Sequence, residues 1–151
     1  MAADSAIILV GDDPAALQVA IAPVRKRLSR RGWSCKANAL FLAVFAPSGG
    51  RLDVTGALDG HGVLVGEIFD GAGAALAPEA RRVLGCRPLD EVRARAVSSD
   101  YWGRYLLIRR SAGEVAILRD PSGAVDCVVW RRGAVTFVAT GADDVIDLQL
   151  V

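Results

Sequence analysis

The chain has 151 residues, of which 52% are apolar and 23% are charged, and its formal net charge is +1. This length suits a single domain over residues 1–151, and the apolar content provides a core and excludes a disordered chain. The balanced charge argues against a nucleic-acid partner, and the absence of any apolar run of membrane-spanning length argues against a membrane partner.

The cysteines and the N-terminus predict the cellular compartment. Cys35, Cys86 and Cys127 are odd in number and far apart in sequence, which indicates reduced thiols rather than a disulfide framework. No basic region precedes an apolar stretch at the N-terminus, so no secretory signal is predicted. We therefore expect a cytoplasmic protein.

The chain opens with a predicted strand, Ala6–Val10, and a helix that begins at Pro14 with an aspartate ahead of it as the cap. Apolar residues at three- and four-residue spacing predict one buried stripe: Leu17, Ile21, Val24 and Leu28. Basic residues crowd the end of this helix before Gly32: Arg25, Lys26, Arg27, Arg30 and Arg31. We interpret them as a solvated helix end favoured by the macrodipole, with an anion site as the less favoured alternative.

Strands and two short helices follow. Turn residues bound three predicted strands, Leu40–Ala46, Arg51–Thr55 and Gly62–Phe69. Pro78–Leu84 and Pro88–Val97 read as helices separated by glycine and proline.

The last third predicts a regular antiparallel meander of four strands: Tyr105–Arg109, Glu114–Arg119, Val125–Trp130 and Ala134–Ala139. The second and third of these strands are separated by Asp120-Pro121-Ser122-Gly123, in which proline occupies the second position of a type I or II turn. No repeat or linker divides the sequence, so one domain is expected.

Two stretches together resemble the class II glutamine amidotransferase domain of asparagine synthetases. Residues 63–70, Val-Leu-Val-Gly-Glu-Ile-Phe-Asp, are similar to an apolar strand followed by Asn-Gly-Glu-Ile-Tyr-Asn in that family. The second stretch begins at residues 101–105, Tyr-Trp-Gly-Arg-Tyr, and runs through 118–123, Leu-Arg-Asp-Pro-Ser-Gly, to Thr136-Phe137. It resembles the family's Gly-x-Phe/Tyr strand, its Ala-Arg-Asp-x-x-Gly turn and the strands that follow. These short motifs are most similar to those of the asparagine-synthetase-like cyclases of lasso peptide biosynthesis.

This resemblance implies an α+β fold, an αββα sandwich of two antiparallel sheets of the Ntn-hydrolase type. It also implies a partner, an asparagine-synthetase-like domain or subunit, and in a lasso system a precursor peptide. ATP and Mg²⁺ belong to the synthetase half of such enzymes, so no cofactor is expected in this chain.

The chain departs from the family pattern at the residues that hydrolyse glutamine. The family's nucleophile is an N-terminal Cys whose own α-amine is the base, and Ala2 stands at that position. Val65 replaces the Asn that supplies a side-chain donor to the oxyanion. The family's Ser-Asp-Thr-Glu glutamine-binding segment has no counterpart between Asp70 and Trp102. We therefore expect no catalytic residue and no glutaminase activity: a pseudoenzyme.

Other reactive residues have simpler interpretations. Cleavage after Ser34 would expose Cys35 as an N-terminal nucleophile, but it would remove the first strand and helix, and a structural cysteine is the commoner case. Cys86 and Cys127 lack the spacing of a metal site. His61, the only histidine, lies in a Gly-rich turn and lacks partners for zinc or for a Ser-His triad.

Residues 48–53, Ser-Gly-Gly-Arg-Leu-Asp, superficially resemble the Ser-Gly-Gly-x-Asp-Ser pyrophosphate loop of the synthetase half. The aspartate comes one residue late, the final serine is absent, and no helix follows to hold phosphates. We interpret the segment as a hairpin turn.

Five residues of the matched stretches are the candidates for a structural or interface role: Gly66, Glu67, Trp102, Arg119 and Asp120. A charged pair at the junction of a strand and a turn most often fixes the turn, so we favour a structural role for Arg119 and Asp120. The tryptophans are expected to be core or interface anchors: Trp33, Trp102 and Trp130.

The sequence thus predicts a catalytically inactive amidotransferase-like domain that supports an ATP-dependent amide-forming enzyme. A free-standing module that binds a peptide or a metabolite is the alternative, and a hydrolase matured at Cys35 is a third. Asp143-Asp144 lie about where the linker to a synthetase half begins in the family, so a truncated domain and a stand-alone protein are both open.

Overall fold

A computed structural model of the chain describes residues 5–141. The strands it contains are β1 (Ile7–Gly11), β2 (Trp33–Asn38), β3 (Leu42–Pro47), β4 (Val54–Gly56), β5 (Gly62–Phe69), β6 (Trp102–Ser111), β7 (Glu114–Arg119), β8 (Val128–Arg132) and β9 (Val135–Ala139). The helices are α1 (Pro14–Ser29), α2 (Pro78–Leu84) and α3 (Glu91–Asp100). Ala2 and Asp143-Asp144 lie outside the described residues. None of the helices in this part of the chain is both long enough and apolar enough to span a membrane.

The chain is α+β, with two antiparallel sheets that belong to two compact units. Among the described residues, one unit comprises 5–52 together with 126–141, and the other is Asp53–Val125. Each unit therefore contains one sheet, and the second is inserted between two parts of the first. That residues 1–151 form one domain stays a prediction.

The first unit is a five-stranded sheet in the order β2-β3-β1-β9-β8. All five residues of β1 are buried, which fits its central position between β3 and β9. A continuous apolar run can occupy the centre of a sheet because both of its faces are removed from water.

Helix α1 covers one face of this sheet. Asp13 caps it by accepting a hydrogen bond from Ala16 N (2.8 Å), and Pro14 occupies its first turn. The predicted stripe is confirmed, because its four residues are buried in one cluster with strand side chains: Leu17, Ile21, Val24 and Leu28. The basic residues at the end of the helix are exposed, as predicted for a solvated helix end.

The second unit is a four-stranded sheet in the order β4-β5-β6-β7. The two short helices and the sheet share one apolar cluster: Leu64, Ile68, Leu84, Val97, Tyr105 and Leu107. Helix α3 begins at Glu91, with Asp90 accepting a hydrogen bond from Arg93 N (2.8 Å), rather than at Pro88 as predicted. The aspartate side chain accepts a hydrogen bond from an amide of the first helical turn, whereas a proline side chain has no acceptor for that amide.

Several strands were predicted within a residue or two of their observed positions, but their pairing was not. The meander is wrong between the second and third of its strands, because β7 belongs to the four-stranded sheet and β8 to the five-stranded one. The hairpin predicted at residues 48–53 is wrong for the same reason, since β3 and β4 lie in different sheets. Strand β2 was missed, because its polar residues and its register shift between Cys35 and Ala37 obscure the alternation.

Candidate functional site at one end of the four-stranded sheet

Residues of the two matched stretches come together at one end of the four-stranded sheet, but Thr136 and Phe137 do not, because they lie in β9 of the five-stranded sheet. In the β5–β6 register, Gly66 lies opposite Tyr105 and Glu67 lies opposite Arg104. On the other side of β6, Asp120 N donates a hydrogen bond to Tyr105 O (3.0 Å). Segments far apart in sequence thus form one row across β5, β6 and the turn that follows β7.

Gly66 is required by its backbone conformation. Its φ is +99°, and a Cβ atom there would lie 2.1 Å from Arg104 O. Both the left-handed backbone and the close approach of the neighbouring strand exclude a side chain. These surroundings support a structural role for Gly66, one of the two roles considered for it, and that role stays a prediction.

Arg81 of α2 reaches the same part of the sheet, and it was not predicted as a site residue. Its side chain is 6% exposed, with Nε donating to Thr55 Oγ1 (2.7 Å) and Nη1 donating to Gly66 O (2.8 Å). Nη2 lies within hydrogen-bonding distance of Asp53 O and Leu64 O. Burial lowers the pKa of Arg81, and the charge of Asp53 partly opposes that change. The guanidinium thus connects α2 to β4 and β5.

Asp120 closes the row as a buried residue, 2% exposed. Its Oδ1 accepts a hydrogen bond from Ser122 Oγ, and Gly123 N donates to Asp120 O (3.1 Å). These bonds confirm the predicted turn, and they place the carboxylate inside it. Within residues 5–141, Asp120 Oδ2 and the hydroxyl of Tyr105 are both buried without a hydrogen-bond partner.

Trp102 begins the exposed part of the same end. Its ring stacks on Phe69 with centroids 4.6 Å apart, and its Nε1 donates to Asp70 O (3.0 Å). The tryptophan is nevertheless 54% exposed. These contacts hold a large aromatic ring in a fixed orientation while much of its surface faces solvent, which is typical of an interface anchor.

Glu67, Arg104 and Arg119 are exposed residues of the sheet face that also carries Trp102, as the alternation along β5, β6 and β7 dictates. Leu106 lies two residues after Arg104 on the same face of β6, and Arg119 of β7 lies opposite Leu106. The face therefore combines a fixed aromatic ring with two guanidinium groups and one carboxylate.

The five candidates thus fall into two groups. Gly66 and Asp120 are buried and fix the backbone of the sheet end, whereas Glu67, Trp102 and Arg119 are exposed. Such an arrangement can bind a partner through its exposed group while the buried group maintains the geometry.

The cysteines and the histidine lie elsewhere in the fold. The three cysteines are partly buried, and no disulfide joins any of them. Cys35 lies within β2, paired with Phe45, so cleavage after Ser34 would cut a paired strand. His61 lies in the turn before β5, where its backbone N donates to Asp59 Oδ1 (3.0 Å).

A cluster beside this turn was not predicted. Arg109 Nη2 lies 2.6 Å from Asp59 Oδ2, and Arg109 Nη1 also donates to Gly85 O (3.0 Å). The hydrogen bond from Arg109 lowers the pKa of Asp59, although partial burial opposes it. No group of three or more His, Cys, Asp or Glu residues in the described range is arranged to hold a metal ion.

Comparison of the chain with protein-family models, with curated proteins and with solved structures finds no match.

Proposed function

We propose that this chain is an amidotransferase-like pseudoenzyme that supports an ATP-dependent, asparagine-synthetase-like amide-forming enzyme. The observation that carries the proposal is the row formed by Gly66, Tyr105 and Asp120, since it joins the two stretches that resemble the family. The proposal includes the αββα sandwich of the Ntn-hydrolase type, for which the two antiparallel sheets are the necessary components.

The surroundings of Val65 support the absence of glutaminase activity in this proposal. Val65 stands where the family has the oxyanion-binding Asn, and its side chain is 1% exposed within β5. A buried isopropyl group provides no hydrogen-bond donor to a developing oxyanion. The amine that the enzyme joins to a carboxylate would then come from its substrate, as in macrolactam formation by a lasso peptide cyclase.

The contribution of this domain would be a binding surface for the synthetase. In that role Trp102 serves as the aromatic anchor, with Glu67 and Arg119 as polar contacts around it. ATP and Mg²⁺ would be bound by the synthetase and not by this chain.

Co-purification tests this proposal. The tagged full chain is isolated from the cells in which it occurs, and its companions are identified by mass spectrometry. We expect an ATP-pyrophosphatase-type synthetase, and we expect Trp102→Ala to reduce its recovery by about tenfold or more, as for an interface hot spot. Val92→Ser is the matched control, because Val92 is exposed on α3.

Two outcomes would contradict the proposal. Recovery of the chain alone as a monomer would favour the free-standing binding module. Release of glutamate from glutamine by the purified chain would contradict its assignment as a pseudoenzyme.

A further inference from the structure

The edge strands of the two sheets differ in how well they are protected against pairing with another chain. In the described part of the chain the edges are β2, β8, β4 and β7. Strand β2 has a register shift and an exposed lysine, β8 ends in two arginines, and β4 has three residues. Bulges, charges and short length are the usual means of protecting an edge.

Strand β7 has none of these protections in its interior. Its sequence is Glu-Val-Ala-Ile-Leu-Arg, and the four apolar residues between the charged ends are all half-buried. Within residues 5–141 only β6 pairs with it. A six-residue edge strand with an apolar interior is a template for strand addition.

Two hydrogen bonds determine which backbone groups of β7 face outward. Asp120 N donates to Tyr105 O, and on the opposite side of β6 Arg110 N donates to His61 O (2.7 Å). Bonded and non-bonded residues alternate along an antiparallel pair. The even-numbered residues of β7 therefore bond to β6, and Val115, Ile117 and Arg119 direct their N–H and C=O groups toward the outer edge.

We propose that the outer edge of β7 binds, by antiparallel strand addition, an extended segment of a partner polypeptide that has apolar residues between an acidic residue at its start and a basic residue at its end. The proposal goes beyond the function proposed above and does not depend on it. The backbone groups of Val115, Ile117 and Arg119 would supply the hydrogen bonds. The exposed ends of the strand, Glu114 and Arg119, would select the charges of the partner.

The charges define the sequence that the edge fits. On one face an acidic residue would lie opposite Arg119, with apolar residues opposite Ile117 and Val115. On the other face a basic residue would lie opposite Glu114. Opposite charges across a strand pair stabilise it and like charges destabilise it.

A second copy of this chain satisfies these requirements poorly. Because only odd-numbered residues face outward in each β7, Arg119 would lie opposite an odd-numbered residue of the copy. It would never lie opposite Glu114 of the copy, so the charges at the two ends could not pair. A separate segment has both of its edges free and can adopt the register that pairs both charges.

The test uses the purified full chain and a capped peptide, Glu-Thr-Val-Thr-Val-Lys, which places Glu opposite Arg119 and Lys opposite Glu114. Binding is followed by the amide NMR signals of the protein. We expect saturable shifts at Val115, Ile117 and Arg119, together with slower hydrogen exchange of their amides. A peptide with its first and last residues exchanged, Lys-Thr-Val-Thr-Val-Glu, should bind about tenfold more weakly.

Backbone N-methylation of the peptide provides the matched control without altering the protein. Methylation of its third residue, which faces Ile117, removes a hydrogen bond to β7 and should weaken binding about tenfold. Methylation of its fourth residue, whose N–H points away, should change binding by about twofold or less. In the doubly substituted Glu114→Lys, Arg119→Glu protein, the order of the two peptides should reverse.

Three results would overturn the proposal: no saturable binding, equal effects of the two N-methyl groups, or the same peptide preference in the charge-exchanged protein. Concentration-dependent dimerisation that the peptide competes away would assign the edge to a second copy instead.

Discussion

Tyr105 and Asp120 are joined through their backbones at 3.0 Å, and each buries a polar side-chain atom that meets no hydrogen-bond partner among residues 5–141. Burial raises the pKa of Tyr105, and the charge of Asp120 raises it further. The two residues lie on the side of the sheet that carries the helices, where Tyr105 packs in the apolar cluster. This pair buries the first residue of the predicted turn, whereas Pro121 and Ser122 are exposed.

The raised pKa of Tyr105 predicts a loss of stability in alkali. An unfolded tyrosine ionises near pH 10, and the folded residue ionises at higher pH. Its contribution is therefore fully present below about pH 10 and is lost as the pH rises through the folded pKa. Chemical denaturation across this range should show the loss in the parent protein and a smaller one in Tyr105→Phe.

A spectrophotometric titration tests whether Tyr105 ionises at the higher pH that this prediction requires. The chain has two tyrosines, so the Tyr101→Phe variant reports on Tyr105 alone. If the tyrosine of that variant had the pKa of an unperturbed tyrosine, the predicted effect of burial would be wrong. At neutral pH, removing the unpartnered hydroxyl in Tyr105→Phe should change the free energy of unfolding by less than about 1 kcal/mol.

Substitution of Gly66 tests the close approach of β5 and β6. Gly66→Ala should lower the free energy of unfolding by about 3 kcal/mol or more, because its Cβ would lie 2.1 Å from a backbone oxygen. Gly113→Ala is the control, since Gly113 also has a positive φ (+76°) but has nothing within 4 Å of a Cβ. That variant should lose about 1 kcal/mol, the cost of the backbone conformation. Equal losses in the two variants would refute the steric argument.

Removal of the buried guanidinium should loosen α2 from the sheet. Arg81→Ala leaves the acceptors of Thr55, Gly66 and their neighbours without a donor, so we expect a loss of about 3 kcal/mol in thermal or denaturant unfolding. Arg82→Ala removes an exposed arginine of the same helix that pairs with Glu79, and it should lose no more than about 0.5 kcal/mol. A similar small loss in Arg81→Ala would show that its hydrogen bonds contribute little.

The ion pair between Asp59 and Arg109 predicts an effect in acid. The pKa of Asp59 is lowered, so the stabilisation it provides is present above the unfolded value, near pH 4, and is lost as the pH falls through the folded value. The difference in unfolding free energy between the parent protein and Asp59→Asn should be about 1 kcal/mol at neutral pH, screened because Asp59 is partly exposed, and should shrink below about pH 4.

The matched control is Glu91→Gln. Glu91 pairs with Arg95 on α3, but both side chains are largely exposed. That substitution should change stability by no more than about 0.5 kcal/mol at neutral pH. A pH dependence as large as that of Asp59→Asn would show that exposed charges, and not this cluster, determine stability in acid.

Local patterns in the sequence predicted the bounds of helices and strands better than they predicted which strands pair with each other. The bounds of β5, α2 and β7 match their predictions, because apolar runs, Pro78 and the glycine turns mark them locally. Which strands share a sheet depends on contacts between distant residues, so neither the switch of sheets after β7 nor the one after β3 could be read from these patterns.

The candidate site was predicted in part for the same reason. Gly66 and Asp120 were identified through motifs whose backbone conformation favours particular residue types, and those residue types can be recognised in the sequence. No residue type or motif marks Arg81 as buried, since the neighbouring residue Arg82 is also an arginine and is exposed to solvent. Only the packing of α2 on the sheet distinguishes the two arginines.

The pairing of β1 with β9 has a consequence for how the protein is synthesised. Ala6 N donates a hydrogen bond to Thr140 Oγ1, which is 134 residues later in the chain. The ribosome therefore releases all of Asp53–Val125 before the second neighbour of β1 emerges. The inserted unit can complete its own sheet on the nascent chain, whereas β1, the most apolar strand of the other sheet, keeps one edge unpaired until β9 has been synthesised.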